Sequence, residues 1–171
     1  MCREEITERK VRERKPKTAE QALRSLMRLC ARSEKSSGDA LRLMHLWQVP
    51  QAERQGVLNR LLRERFIDDG RYAEAYVREK SRLSGWGARK IAMQLRQKGV
   101  AQDIIAEALK LLDSDVELPR LVEKLRRKMR STKYSSDYEL RGKLLRYALS
   151  LGFDYDMAQS AVEESLAEQD L

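Results

Sequence analysis

The sequence predicts an all-α fold: three tandem three-helix repeats joined into an elongated chain. Three observations predict it. Apolar residues recur at helical spacing almost everywhere after residue 18, as in Ile91, Ala92 and Leu95, or Leu118, Leu121, Val122, Leu125 and Met129. Eight breaks, near 36–39, 49–51, 66–70, 84–87, 99–102, 113–115, 134–137 and 152–154, leave nine helical segments. The pattern also recurs. Gly99-Val100 precedes Ile104, Ile105, Ala108, Leu109 and Leu112, and Gly152-Phe153 precedes Met157, Ala158, Ala161, Val162 and Leu166. One period earlier Val49-Pro50 precedes Val57, Leu58, Leu61 and Leu62, with no glycine beside it. Helices this short bury little unless neighbours cover them, so each triplet is expected to close its own small core.

In chain order, residues 1–17 carry seven basic and four acidic side chains and no apolar stripe, and read as a mobile basic arm. The first repeat is placed at 18–66. Its Cys30 continues the stripe of Leu23 and Leu26 and reads as a core thiol. His45, the only histidine, lies in LRLMHLW and reads as structural rather than as a general base. The second repeat is placed at 67–113. Its opening pair, Asp68-Asp69, is better explained by helix capping than by a metal. Tyr72, Tyr76 and Val77 read as packing residues before they read as a base-stacking platform. The third repeat, 114–171, ends in an acidic C-terminus.

Within the second repeat, SGWGARKIAMQLRQKGV raises the question of a phosphate loop. Gly85-Trp86-Gly87-Ala88-Arg89-Lys90 does not fit the nucleoside-triphosphate pattern, and no strand precedes it. A turn between helices fits better. Ser84 and the glycines relax the backbone, Trp86 packs at the corner, and Arg89, Lys90, Arg96 and Lys98 stay largely outside. The amides opening the next helix, with Arg89 and Lys90, make a weaker candidate for a phosphate than for simple capping.

Charge follows the repeats. The 171-residue chain has 35 Lys and Arg against 27 Asp and Glu, a net +8. Residues 71–98 are net +6 and 120–146 net +7, whereas 99–119 are net −4 and 147–171 net −6. The excess basic charge therefore sits on the first two helices of repeats two and three, and a continuous basic face would suit a groove lined by phosphates or carboxylates. The cysteines, Cys2 and Cys30, have neither zinc-ligand nor disulfide-framework spacing. With no membrane span and no secretory signal in view, the expectation is a reduced, cytoplasmic protein with no metal, no cofactor and no catalytic constellation.

Residues 67–100, IDDGRYAEAYVREKSRLSGWGARKIAMQLRQKGV, resemble the central repeat of the RecX family of bacterial RecA regulators. The resemblance is carried by Asp68, Asp69, Arg71, Tyr72, Ala73, Tyr76, Val77, Lys80, Gly85, Trp86, Gly87, Ile91, Leu95, Lys98 and Gly99. SSGDALRLMHLW and LSLGFD match the flanking repeats more loosely, and Ala88 stands where many members have proline. The resemblance implies a curved, elongated, non-enzymatic protein of the SOS response and DNA repair, and a monomer is the default expectation. Such a protein would bind the RecA filament on single-stranded DNA, with weaker contact to duplex DNA. It would limit filament growth and dampen ATPase, strand exchange and co-protease activities.

The expected binding face comprises Arg71, Arg78, Lys80, Arg82, Arg89, Lys90, Arg96 and Lys98 in repeat two. Repeat three adds Lys124, Arg126, Arg127, Lys128, Arg130, Lys133, Arg141, Lys143 and Arg146. Reversing Arg89 and Lys90 to Glu is expected to weaken binding while sparing the fold. The alternative, a helix-turn-helix protein reading duplex DNA, needs a basic recognition helix, and the third helices of repeats two and three are acidic or nearly so. A structural adaptor without nucleic acid is the third reading.

Overall fold

Capping residues fix where the chain turns helical. The computed structural model describes residues 15–167, in which nine α-helices and no strand occur. Residues 1–14 of the expected arm and the last four residues lie outside the described residues. The first triplet is α1 (Ala19–Cys30), α2 (Ser37–Leu46) and α3 (Gln51–Arg63). The second is α4 (Asp69–Glu79), α5 (Ala88–Gln97) and α6 (Gln102–Leu109). The third is α7 (Ser114–Arg130), α8 (Asp137–Ser150) and α9 (Tyr155–Ala167). Thr18 closes a capping box with Gln21, and the side chains of Ser36, Asp68, Asp113 and Ser136 each accept from an amide in the first turn that follows. The Asp68 cap is the role the sequence predicts for it.

Each triplet closes its own core. Leu26, Met44 and Leu61 are fully buried in the first, Ile91, Leu95 and Ile105 in the second, and Leu121, Leu125, Leu140 and Leu144 in the third. Tyr72 is buried in the second core and stacks on Tyr76 at 6.0 Å; burial pushes its phenol up to about 12. Both rings serve packing, as expected. Trp86 packs against the second and third cores together, so one side chain ties two repeats.

The turn from second to third helix is the same in all three triplets. Gln48, Gly99 and Gly152 occupy left-handed backbone at φ 55, 75 and 93°, and the next residues, Val49, Val100 and Phe153, are buried. Gln48 thus fills in the first repeat the place glycine holds in the others. That turn is also where neighbouring repeats meet. Ser36 Oγ donates to Lys98 O at 2.7 Å, and the Gly87 amide donates to Leu151 O at 2.8 Å. The start of one repeat's second helix therefore seats on the turn of the next. On the first repeat the corresponding Trp47 O accepts the Lys17 amide at 2.9 Å, and the Lys17 ammonium lies 3.7 Å from the Trp47 ring centroid.

Two features differ from the sequence expectations. Gly87 has an ordinary φ of −84°, so it is needed for proximity, not for conformation. A Cβ there would meet Phe153 N at 2.6 Å and Gly152 carbonyl atoms at 2.7 Å. The end of α4 also widens into a π-helical turn, Lys80–Ser84, stopped by Gly85 at φ 62°. Ser36 caps α2 and bridges two repeats with one fully buried hydroxyl. Ser36→Ala is therefore expected to cost about 2 kcal/mol, the upper part of the capping range, as a lowered denaturant midpoint with unchanged slope.

Candidate nucleic-acid and filament interface

The joint between the second and third repeats concentrates basic side chains. The π-turn carries Ser81 and Arg82 toward α7, whose Arg120, Lys124 and Arg127 recur at helical spacing on one stripe. Two adjoining clefts result. One, of about 350 Å³, is lined by Arg78, Ser81, Arg82, Glu117 and Arg120 among others. The other, of about 450 Å³, is lined by Arg82, Leu83, Gly85, Arg120, Glu123, Lys124 and Arg127 among others. Arg82 and Arg120 border both, so the basic residues of two repeats share one surface.

Local electrostatics fit an anion. The Lys124 ammonium donates to Ser84 O, which closes the joint. Burial first, and then the like charges of Lys90 and Arg127, hold Lys124 below its ordinary value. A phosphate placed between these cations would relieve both the repulsion and the lost hydration. Carboxylates are present too: Glu123 pairs with Arg127 at 2.9 Å, and burial pushes the Glu117 carboxyl up.

Several predicted site residues lie elsewhere. Arg71 pairs with Glu34, and Lys98 with Asp39 at 3.3 Å, both across the first joint. Lys80 pairs with Glu79 and faces the rings of Tyr76 and Trp86. Lys90 sits 4.6 Å from the Trp86 centroid and donates to Ser150 O. Lys90 and Lys98 are half-buried in joints, not largely outside as the helical pattern suggests, because a neighbouring repeat contacts each of them. Lys90→Glu therefore costs stability as well as charge, and the double reversal with Arg89 does not isolate binding. Lys143 pairs with Glu139, and Arg126 is half-buried. Arg89, Arg96, Lys128, Arg130, Lys133, Arg141 and Arg146 are exposed. The structure does not gather these seven into the double cleft.

The phosphate reading of the α5 start does not hold. The amides of Gly87 and Arg89 donate to Leu151 O and Gly152 O, so the next repeat occupies the place a phosphate would take. Asp69 accepts from the Ser37 amide at 2.8 Å, a cross-repeat contact the sequence does not announce. His45 is exposed, its Nδ1 3.3 Å from Arg54 Nη1, and Cys30 packs against the first core. Among the described residues no group of His, Cys, Asp and Glu is placed to hold a metal, and no helix is long and apolar enough to cross a membrane.

Arg120, which borders both clefts, is not singled out by the sequence reading. The signal for Arg120 is its spacing of four and seven from Lys124 and Arg127. Near Tyr138, Glu139 is held by Lys143 and by the Ser135 amide and hydroxyl, which lower its carboxyl to about 2. A carboxyl depressed by folding stabilises above its ordinary value of 4.5 and loses that contribution as pH falls toward about 2. Glu139→Gln is expected to flatten this part of the acid-denaturation profile, read by circular dichroism.

Two family models match: the second three-helix domain of RecX over residues 68–109, and the third over 115–162. The regulatory protein RecX of Clostridium botulinum (strain Eklund 17B / Type B) is 35% identical over 103 residues, 59% of this chain and 48% of that protein. That of Clostridium beijerinckii is 27% identical over 145 residues, 84% of this chain and 67% of that protein. The crystal structure of RecX from Lactobacillus salivarius has the same fold, with a TM-score of 0.76 at 20% identity, covering 86% of this chain and 96% of that one. The chain spans about half the length of the first curated relatives it matches. With the two three-helix domain models jointly covering more than half of its residues, and helix triplets at the matched positions, the chain belongs to the RecX family.

Proposed function

We propose that this protein binds the RecA filament assembled on single-stranded DNA and inhibits its extension. ATP hydrolysis, recombination and co-protease activity of the filament would fall in consequence. It acts by occupancy, as a monomer without catalysis of its own. The observation that carries this reading is the double cleft, where Arg78 and Arg82 of one repeat face Arg120, Lys124 and Arg127 of the next. A surface built across a joint presents charge along the chain axis, which suits a partner that is itself a continuous polyanion-containing filament. Acidic residues on α6 and α9, including Asp103, Glu107, Asp156, Glu163 and Glu164, leave the third helices unsuited to a duplex groove.

The test is binding by fluorescence anisotropy to three targets across a salt series: RecA filament on single-stranded DNA, the bare strand, and a duplex of equal length. Tightest binding to the filament, with strong salt dependence, is the expected result. Preference for the duplex would replace this reading with a general helical DNA-binding protein.

A further inference from the structure

Tyr138 and Tyr155 are 88% and 54% exposed, whereas Tyr72 and Tyr76 are packed on one another. Together they line a cleft of about 560 Å³ between α8 and α9, with Gly142, Leu145, Arg141 and Arg146. Its carboxylates are engaged: Glu139 with Lys143, and Glu163 with the Gln159 amide. Among the described residues, neither Arg141 nor Arg146 has an ion-pair partner. Gly142 lies inside α8, where glycine costs about 1 kcal/mol relative to alanine. Neither backbone nor packing demands it, since a Cβ there would approach only Arg146 Nη1, at 3.7 Å. The missing side chain keeps the cleft open.

We propose that this cleft is a subsite for an unstacked nucleobase of a single strand, held against Tyr138 and Tyr155, with flanking phosphates on Arg141 and Arg146. Two π-faces beside two uncommitted guanidinium groups match the alternation of base and phosphate along a single strand. A duplex keeps its bases stacked and offers no ring to this cleft. The site deepens, and rests on, the reading that the protein engages single-stranded DNA. It lies on repeat three, apart from the double cleft at the joint.

The experiment compares the affinity of the full chain for a short oligothymidylate and for an abasic oligonucleotide of the same length and charge. Wild type is expected to prefer the base-bearing strand by about tenfold or more, the scale of one base stacked on an aromatic ring. Tyr138→Ala and Gly142→Leu, the latter filling the cleft with a strong helix former, should each remove that preference without changing the salt slope. A preference that survives Gly142→Leu overturns the proposal, as does an equal loss on both oligonucleotides. Equal wild-type affinity for the two strands sinks the subsite while leaving single-strand binding in place. No binding to either sinks both. Loss of filament binding alone in the variants would assign the cleft to protein and overturn the nucleobase reading.

Discussion

Gly87→Ala and Gly152→Ala are expected to lower the melting midpoint by about 6–12 °C, corresponding to roughly 3 kcal/mol in a chain of this size. At Gly87 the added methyl would press on the backbone of Gly152 and Phe153, which has no rotamer to give way. At Gly152 it would run into Lys90 and must also adopt φ 93°, a conformation that costs an L-residue about 1–2 kcal/mol. Gly56→Ala is the control. It sits in α3 with nothing within 4 Å of its Cβ, and is expected to stabilise by about 0.5–1 kcal/mol. Calorimetry on the three variants checks the contrast. Because each repeat keeps its own core, far-ultraviolet circular dichroism at low temperature should stay close to wild type. The weakened joint should nevertheless displace Arg82 from Arg120 and Lys124 and reduce filament inhibition. A uniform loss of helix in the glycine variants would mean that the repeats do not hold separate cores.

Removing Arg82, Arg120 and Arg127 together is expected to weaken polyanion binding on the order of a hundredfold at low salt, about 1 kcal/mol for each exposed charge. The plot of log affinity against log salt should become shallower by roughly 2, since each phosphate contact on a single strand contributes about 0.7 to the slope. All three side chains are exposed, so stability should move by no more than about 0.5 kcal/mol per site. Lys124 is left in place because it closes the joint through Ser84, and its loss would confuse binding with folding. Substituting Arg89, Arg96 and Arg130 removes the same net charge at exposed positions that line neither cleft. A comparable effect from that second triple would assign binding to net charge and not to the double cleft.

Helix boundaries were legible because their signals are local. Thr18, Ser36, Asp68 and Ser136 are polar caps ahead of apolar stripes, and Gly99 and Gly152 mark left-handed turns. Gln48 adopts the same turn without the glycine that would advertise it, so the first repeat reads less clearly than the others. Gly87 was misread for a different reason. Its constraint comes from Gly152 and Phe153, more than sixty residues away, and no local pattern records that approach.

The site was legible in outline only. Periodicity shows which lysines lie off a helix's apolar stripe, but not whether another repeat will sit on them. Lys90, Lys98 and Lys124 were thus assigned to an open face, although the joints hold them half-buried. Arg120 carried the right spacing yet stood apart from the run 124–133, and the π-turn that brings Arg82 to it leaves no mark in the apolar pattern.

The most direct test of the central claim is ATP hydrolysis by RecA on single-stranded DNA as this protein is titrated in. The account predicts inhibition at well below one molecule per RecA protomer, because blocking extension requires only the growing end or scattered points along the filament. Unchanged hydrolysis at stoichiometric excess, with tight binding to bare DNA, would contradict it.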